Sequence, residues 1–233
     1  MKKNAIFITG CSRGIGYELT NILLDKKFFI LSIGRTMPNL TSNFQSKISH
    51  FECDLSRNNY YDNLVNWIES IKNDFNFVGF VHSAGIGDTT NLLKTPNKKI
   101  VDQINVNLLS GILLSKAILP YLNQSKSRIF FIGSRSRRFP FLGGSTYCAS
   151  KSGLYALTDC LALEVKKLCW NIGITIFEFG TVATGFANLP VSKKQISPFS
   201  AAEFMAKIFL NPLSEYDTRV IEIVPSVVKT NNE

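Results

Sequence analysis

Apolar positions along the chain fall into short, β-branched or aromatic runs separated by longer stretches in which they recur every three or four residues. The runs at 4–9, 28–33, 48–53, 77–81, 128–132, 172–179 and 220–224 predict buried strands, because a strand covered on both faces needs no polar alternation. The intervening stretches predict helices. At 17–27, Leu19, Ile22 and Leu23 share a face, and 58–71, 96–122 and 200–210 have the same character. After residue 145, Leu154, Leu157, Leu161 and Val165 mark another helix. Strand and helix alternate with no linker and no repeat, which predicts one α/β domain over 1–233. Its doubly wound, mostly parallel sheet has about seven strands.

The chain of 233 residues is 45% apolar and 12% aromatic, enough for a sizeable core. Its formal charge of +9 fits nucleic acid, a membrane surface or an anionic small ligand. No Lys/Arg run exceeds two residues and no nucleic-acid motif is visible, which favours the small anion. The five cysteines (Cys11, Cys53, Cys148, Cys160, Cys169) are odd in number and form no C-x-x-C pair. That predicts reduced thiols, a cytoplasmic setting and no metal site. The apolar run 5–8 is too short for a signal sequence and no run reaches membrane-spanning length, so no membrane partner is expected.

Chemistry-bearing residues gather where strands end. After the first strand stands Thr9-Gly10-Cys11-Ser12-Arg13-Gly14-Ile15-Gly16, opening a helix. Glycines there allow a tight turn, and the helix-start N–H groups hold an anion. The glycine spacing of four then two differs from the common dinucleotide fingerprint of two then three. After the second strand comes Arg35 where an NAD site would have an acid; with Arg13 it points to a 2′-phosphate and NADP(H). Asp54 and Leu55 end the third strand; Asp54 suits an adenine amino group or the cap of the following helix. Ala84 and Gly85, after the fourth strand, suit a backbone passing close to a ligand. His82 reads as hydrogen-bonded structure rather than a general base.

Ser134 ends the fifth strand and points into the crevice where open α/β sheets bind ligands. Asn105 and Asn107 sit inside the long helix, where a buried Asn needs a polar partner or a distortion. Tyr147 and Lys151 are one helical turn apart, and an adjacent ammonium lowers a phenol's pKa towards the range where it serves as acid or base. Gly180 and Thr184 follow the sixth strand, 191–198 is polar, and the segment 185–198 would shape a substrate pocket.

Together these motifs resemble the short-chain dehydrogenase/reductase family over nearly the whole chain. The glycine turn from Thr9 to Gly16, Asn107, Ser134 and the Tyr147–Lys151 pair match the family pattern in order. Two departures are His82-Ser83 where Asn-Asn is common before Ala84-Gly85, and Phe179 where a Pro is usual before Gly180. The first implies a different brace between strands and the second a different loop shape. The resemblance implies a Rossmann-like fold and hydride transfer between NADP(H) and a carbonyl or secondary alcohol. Tyr147 would act as proton donor and Lys151 would tune it and hold the ribose. Ser134 would bond the substrate oxygen, Asn107 would place a water beside Lys151, and Thr184 would contact the nicotinamide amide. It also implies a homodimer or homotetramer.

The expected substrate is a small, fairly apolar ketone or aldehyde, with Phe139, Phe141, Phe186 and Leu189 as candidate walls. A 3-oxoacyl carrier-protein reductase is an alternative, with Arg128, Arg135, Arg137 and Arg138 facing an acidic carrier. A solvated basic loop is the plainer reading of those arginines, and 221–226 lacks the Gly-Gly ending common in such reductases. A non-catalytic NADP-binding regulator is the alternative from another class; the intact Asn/Ser/Tyr/Lys set argues against it.

Overall fold

The computed structural model describes residues 2–124, 126–186, 195–211 and 219–224. Seven strands form one parallel sheet: β1 Lys3–Thr9, β2 Phe29–Gly34, β3 Ile48–Glu52, β4 Phe75–His82, β5 Ser127–Ile132, β6 Ile172–Phe179 and β7 Val220–Ile223. Their order is β3-β2-β1-β4-β5-β6-β7, and every neighbouring pair is parallel. The helices are α1 Gly14–Asp25, α2 Tyr61–Ile71, α3 Asn97–Ile104, α4 Ser110–Ile118, α5 Ser145–Lys167 and α6 Pro198–Leu210.

Successive strand residues point to opposite faces, so each strand feeds two cores. Ala5 and Phe7 of β1 pack with Leu64 and Ile68 of α2, Leu114 of α4 and Leu154 of α5. Ile6 and Ile8 pack with Leu19 and Leu23 of α1 and Met205 and Phe209 of α6. Burying both sheet faces accounts for the continuous apolar runs in sequence. The order of strand addition reverses between β1 and β4, the switch point, so the C-terminal ends of these parallel strands flank an open crevice.

The expected helix over 96–122 is continuous but not uniform. Between α3 and α4 the residues Asn105–Leu109 form a π turn. Asn105 Nδ2 donates to Ser56 O (2.6 Å), and both polar atoms of the Asn107 amide bond the Ile86 backbone. These contacts hold a widened turn that a regular helix would not tolerate. By length and apolar content Asn97–Tyr121 would pass for a membrane span, contrary to the expectation from runs alone. Here Asn107, Ser110, Leu114, Ser115 and Ile118 are buried within the domain. The helix expected over 58–71 begins only at Tyr61, because Asp54 Oδ1 accepts from Ser56 N–H (3.0 Å) and closes a turn of its own. Asp54 therefore caps that turn and not α2.

Candidate active site

At the switch point lies a cleft of about 680 Å³ lined from Gly10 to Phe186 by the ends of β1, β2, β3, β4, β5 and β6. The glycine turn forms one wall. Gly10 and Gly14 have φ of +72° and +61°, the left-handed region that favours glycine. Gly16 must be glycine for a different reason: a Cβ there would sit 2.4 Å from Gly10 O. The first-turn N–H groups of α1 thus face the cleft with no side chain between. Gly16→Ala is expected to cost about 2 kcal/mol by overpacking and to weaken nicotinamide-cofactor binding at least tenfold. A thermal melt and a fluorescence titration with NADPH measure the two effects.

Thr9 replaces the brace that the His82-Ser83 departure removes. Its Oγ1 accepts from Ser83 N–H (3.0 Å) and Ala84 N–H (2.9 Å) and bonds His82 Nδ1 (3.1 Å). His82 is buried, with Ser110 Oγ 3.4 Å from its Nε2. Burial, and then the charge of Lys151, push its pKa down to about 3, so it stays neutral and structural as expected.

The other wall carries the expected catalytic residues. Ser134 follows β5, and its Oγ accepts from Ser136 N–H (3.2 Å). Tyr147, half-buried on the first turn of α5, lines the same cleft as Ser134, whose hydroxyl favours the phenolate. Lys151, one turn on, is buried and donates from Nζ to Ile132 O (2.8 Å). Asn107 is fully buried; its Nδ2 also donates to Ser150 Oγ (3.0 Å), which in turn donates to Tyr147 O (2.8 Å). A Cβ on Gly85 would lie 3.5 Å from both Asn107 Oδ1 and Lys151 Nζ, so these three residues converge. With both Asn107 N–H groups engaged, the side chain acts first as a fastener between the β4 loop and α5.

The electrostatics differ from the simple expectation for the pair. Burial pushes the Tyr147 phenol up, and only the Ser134 hydrogen bond pulls it back. Burial likewise pushes Lys151 down to about 8. The ammonium points to a strand carbonyl, 5.9 Å from the Tyr147 ring centroid, so desolvation outweighs its attraction for a phenolate here.

Phe186 and Phe141 flank Tyr147, with ring centroids 5.6 and 6.2 Å away. Phe139 also lines the cleft and lies against Arg135 and Arg138. Leu189 and 187–194 of the expected substrate segment lie outside the described residues. Ser12, Arg13, Ile15, Arg35, Asp54, Leu55, Ala84, Gly180 and Thr184 all line the cleft. Burial opposes ionisation of Asp54, but Ser56 and the charges of Arg35 and Arg57 outweigh it and hold the carboxyl below its ordinary value.

The basic loop is exposed at Arg137 and Arg138, as its reading as a solvated loop expects, but each of its arginines also lies near an acid. Arg135 lies 3.0 Å from Glu222, and Arg138 contacts both Glu178 (3.0 Å) and Glu222 (2.6 Å). Arg137 lies 3.7 Å from Glu178. Arg128, apart from that loop, donates to Asn211 O (2.8 Å).

A profile of the family described as short chain dehydrogenase matches residues 4–195. The chain is a member of the short-chain dehydrogenase family. Among curated relatives, benzil reductase ((S)-benzoin forming) of Bacillus cereus is 25% identical, the match covering 89% of this chain and 93% of that protein. The 3-amino-tetrahydro-pyrrolizinone reductase of Xenorhabdus hominickii is 28% identical over 79% of this chain and 63% of its own. Human retinol dehydrogenase 5 is 29% identical, with 82% and 60% covered. The chain thus spans a little under two thirds of the length of these last two. An alcohol dehydrogenase from Thermococcus sibiricus, solved with 5-hydroxy-NADP, shares the fold at a TM-score of 0.79 and 21% identity, each chain fully covered.

The short-chain dehydrogenase fold binds a nicotinamide cofactor, and this cleft fits one. The side-chain-free turn at Gly10, Gly14 and Gly16 suits a pyrophosphate, Arg13 and Arg35 line the end beyond it, and Lys151 lies deep beside Gly85. Thr9 belongs to the glycine motif, but its role as the brace described above was not read from it, and one contributor lies outside the motifs. Tyr155, one turn beyond Lys151, accepts from Ser134 N–H (3.3 Å) and donates to Ser134 O (3.2 Å). Its position at i+4 from Lys151 put it on the catalytic face of α5 and was the available signal.

Proposed function

We propose that this dehydrogenase is an NADPH-dependent reductase of small, largely apolar ketones or aldehydes. The observation that carries the reading is the convergence of Ser134, Tyr147 and Lys151 on one wall of a cleft whose opposite wall is a bare glycine turn. The cofactor, when bound, supplies the hydride. Ser134 Oγ donates to the substrate carbonyl oxygen, where negative charge builds, and Tyr147 delivers its proton to that same oxygen. A phenol held protonated by burial suits the donor role. Lys151 holds the cofactor ribose and supports the phenolate left behind, and Asn107 keeps α5 in register with the β4 loop so that proton resupply passes beside Lys151. Thr184 fixes the carboxamide end.

Arg13 and Arg35 support NADP over NAD, since both line the cleft and no acid occupies the position of Arg35. Replacing both by Ala is expected to raise the KM for NADPH about a hundredfold, at about 1.5 kcal/mol for each hydrogen bond to a charged group, while the KM for NADH changes less than threefold. Equal losses for both cofactors would remove the 2′-phosphate role.

Phe139, Phe141 and Phe186 give the substrate end an aromatic character, and the benzil reductase similarity supports an aryl ketone or diketone. The internal pairing of Arg135, Arg137 and Arg138 speaks against an acyl-carrier docking surface. We place the enzyme in the cytoplasm as a homodimer or homotetramer acting on a free small molecule, without nucleic-acid or membrane partners. The experiment is NADPH consumption with a diketone, a simple aldehyde and an acetoacetyl thioester. Turnover of the first two above the thioester supports the reading. Preference for the thioester moves it to the carrier-protein reductase, and tight NADPH binding without turnover moves it to a regulator.

A further inference from the structure

Glu178 is fully buried on β6, and its neighbour across the sheet is Glu222 of β7. Two carboxylates side by side repel, and a buried one without partners is costly. Arg138 bridges them: its Nε (3.1 Å) and Nη2 (3.0 Å) both donate to Glu178 Oε1, and Nη2 also meets Glu222. Arg137 approaches Glu178 Oε2 and lays its guanidinium over the Tyr155 ring, 3.9 Å from the centroid. Tyr155 closes the circuit, because its hydroxyl grips Ser134 by both backbone N–H and C=O. The turn Arg135–Arg137 that begins at Ser134 is therefore pinned by its arginines to Glu178 and by its first residue to Tyr155. Burial first, and then the charge of Glu178, push the Tyr155 phenol up, so it stays protonated and keeps donating to Ser134 O.

We propose that Glu178 and Tyr155 are positioning residues that set where Ser134 Oγ meets the substrate oxygen. A hydroxyl displaced by even a fraction of an ångström loses much of its effect on developing charge. Glu178 touches neither cofactor nor substrate and acts through Arg138, Arg137 and Tyr155. Arg138 also lies 5.7 Å from the Phe139 ring centroid, which Arg135 approaches to 4.8 Å, so part of the substrate wall rests on the same cluster.

The proposal rests on the carbonyl-reductase reading, and its test separates the two. Glu178→Gln keeps the shape and removes the charge; Tyr155→Phe keeps the ring under Arg137 and removes only the hydroxyl. Each is expected to lower kcat about tenfold with the NADPH Kd, measured by fluorescence, changed less than twofold. Their effects are expected not to multiply: the double variant should be no more than about twofold slower than the worse single one. Glu222→Gln, which weakens only the exposed arm of the Arg138 bridge and leaves Glu178 paired, should change kcat less than threefold. If Glu178→Gln does not fold, Tyr155→Phe alone decides, and an unchanged kcat in that folded variant overturns the proposal. So do multiplying effects, or a loss confined to NADPH affinity. Amide hydrogen exchange over 133–138 in the cofactor-free protein is expected to accelerate at least tenfold in both single variants. Unchanged exchange overturns the proposal even if wild type reduces no carbonyl, an outcome that by itself would sink only the reductase reading.

Discussion

Tyr147→Phe is expected to lower kcat for carbonyl reduction by about a thousandfold, within the range a positioned general acid contributes, with the NADPH Kd changed less than threefold. The substitution removes one oxygen and keeps the ring between Phe141 and Phe186, so the aromatic wall stays in place. Ser134 Oγ keeps its bond from Ser136 N–H, so the hydroxyl that meets the substrate stays in place. Steady-state kinetics with NADPH titrated separately tell the effects apart. A loss in kcat with binding kept assigns the proton to Tyr147, and wild-type turnover would transfer the role elsewhere. In wild type, kcat should fall as pH rises through the phenol's raised pKa, because the donor is then deprotonated before it can serve.

Lys151→Met is expected to abolish turnover, by about a thousandfold, and yet to stabilise the cofactor-free protein at neutral pH. Burial pushes this lysine from its ordinary 10.5 down to about 8, so folding at pH 7 desolvates a charge. That shift corresponds to about 3 kcal/mol, at about 1.4 kcal/mol per pKa unit. Leaving Ile132 O without its donor costs about 1 kcal/mol, so a gain of about 2 kcal/mol remains. The sign is fixed by linkage. Between pH 8 and 10.5 the unfolded chain holds a proton that the folded chain has released, so wild-type stability rises with pH across that window. The variant lacks this rise, and its advantage should shrink towards pH 10. Urea melts at pH 7 and pH 9.5 measure it; a variant less stable than wild type at pH 7 would mean that Lys151 is solvated in the free protein. A function-bearing lysine held at a cost in stability is what a site selected for chemistry rather than robustness would show.

The sheet was legible because its signal is local. Each strand is a run such as 172–179 whose apolar character does not depend on what lies far away in sequence, and all seven strands form. The glycine turn was legible for the same reason, since strand, turn and helix are contiguous. Features that depend on distant partners were not legible. Asn105 and Asn107 pointed to a polar partner or a distortion, but neither the π turn nor the partner was legible, because the carbonyl and N–H that hold the Asn107 amide belong to Ile86, 21 residues away. The arginine loop is exposed as read, but its ion pairs were not legible, since the counter-charges Glu178 and Glu222 arrive from β6 and β7. The effect of Lys151 on Tyr147 was misjudged because spacing reports proximity but not desolvation, and burial decides the sign for both groups. The two departures from the family pattern resolve differently. Thr9 supplies the missing brace after β4, whereas Phe179 joins the core beside Phe177, with ring centroids 5.9 Å apart.

The most direct test of the central claim follows the transferred atom. NADPH carrying deuterium at both hydrogen positions of the reactive carbon of its nicotinamide ring is incubated with the protein and an aryl diketone, and the product is read by mass spectrometry and NMR. Deuterium on the new carbinol carbon, with label transfer lost in Tyr147→Phe, is the predicted result; an alcohol without label, or label transfer undiminished in Tyr147→Phe, would contradict it.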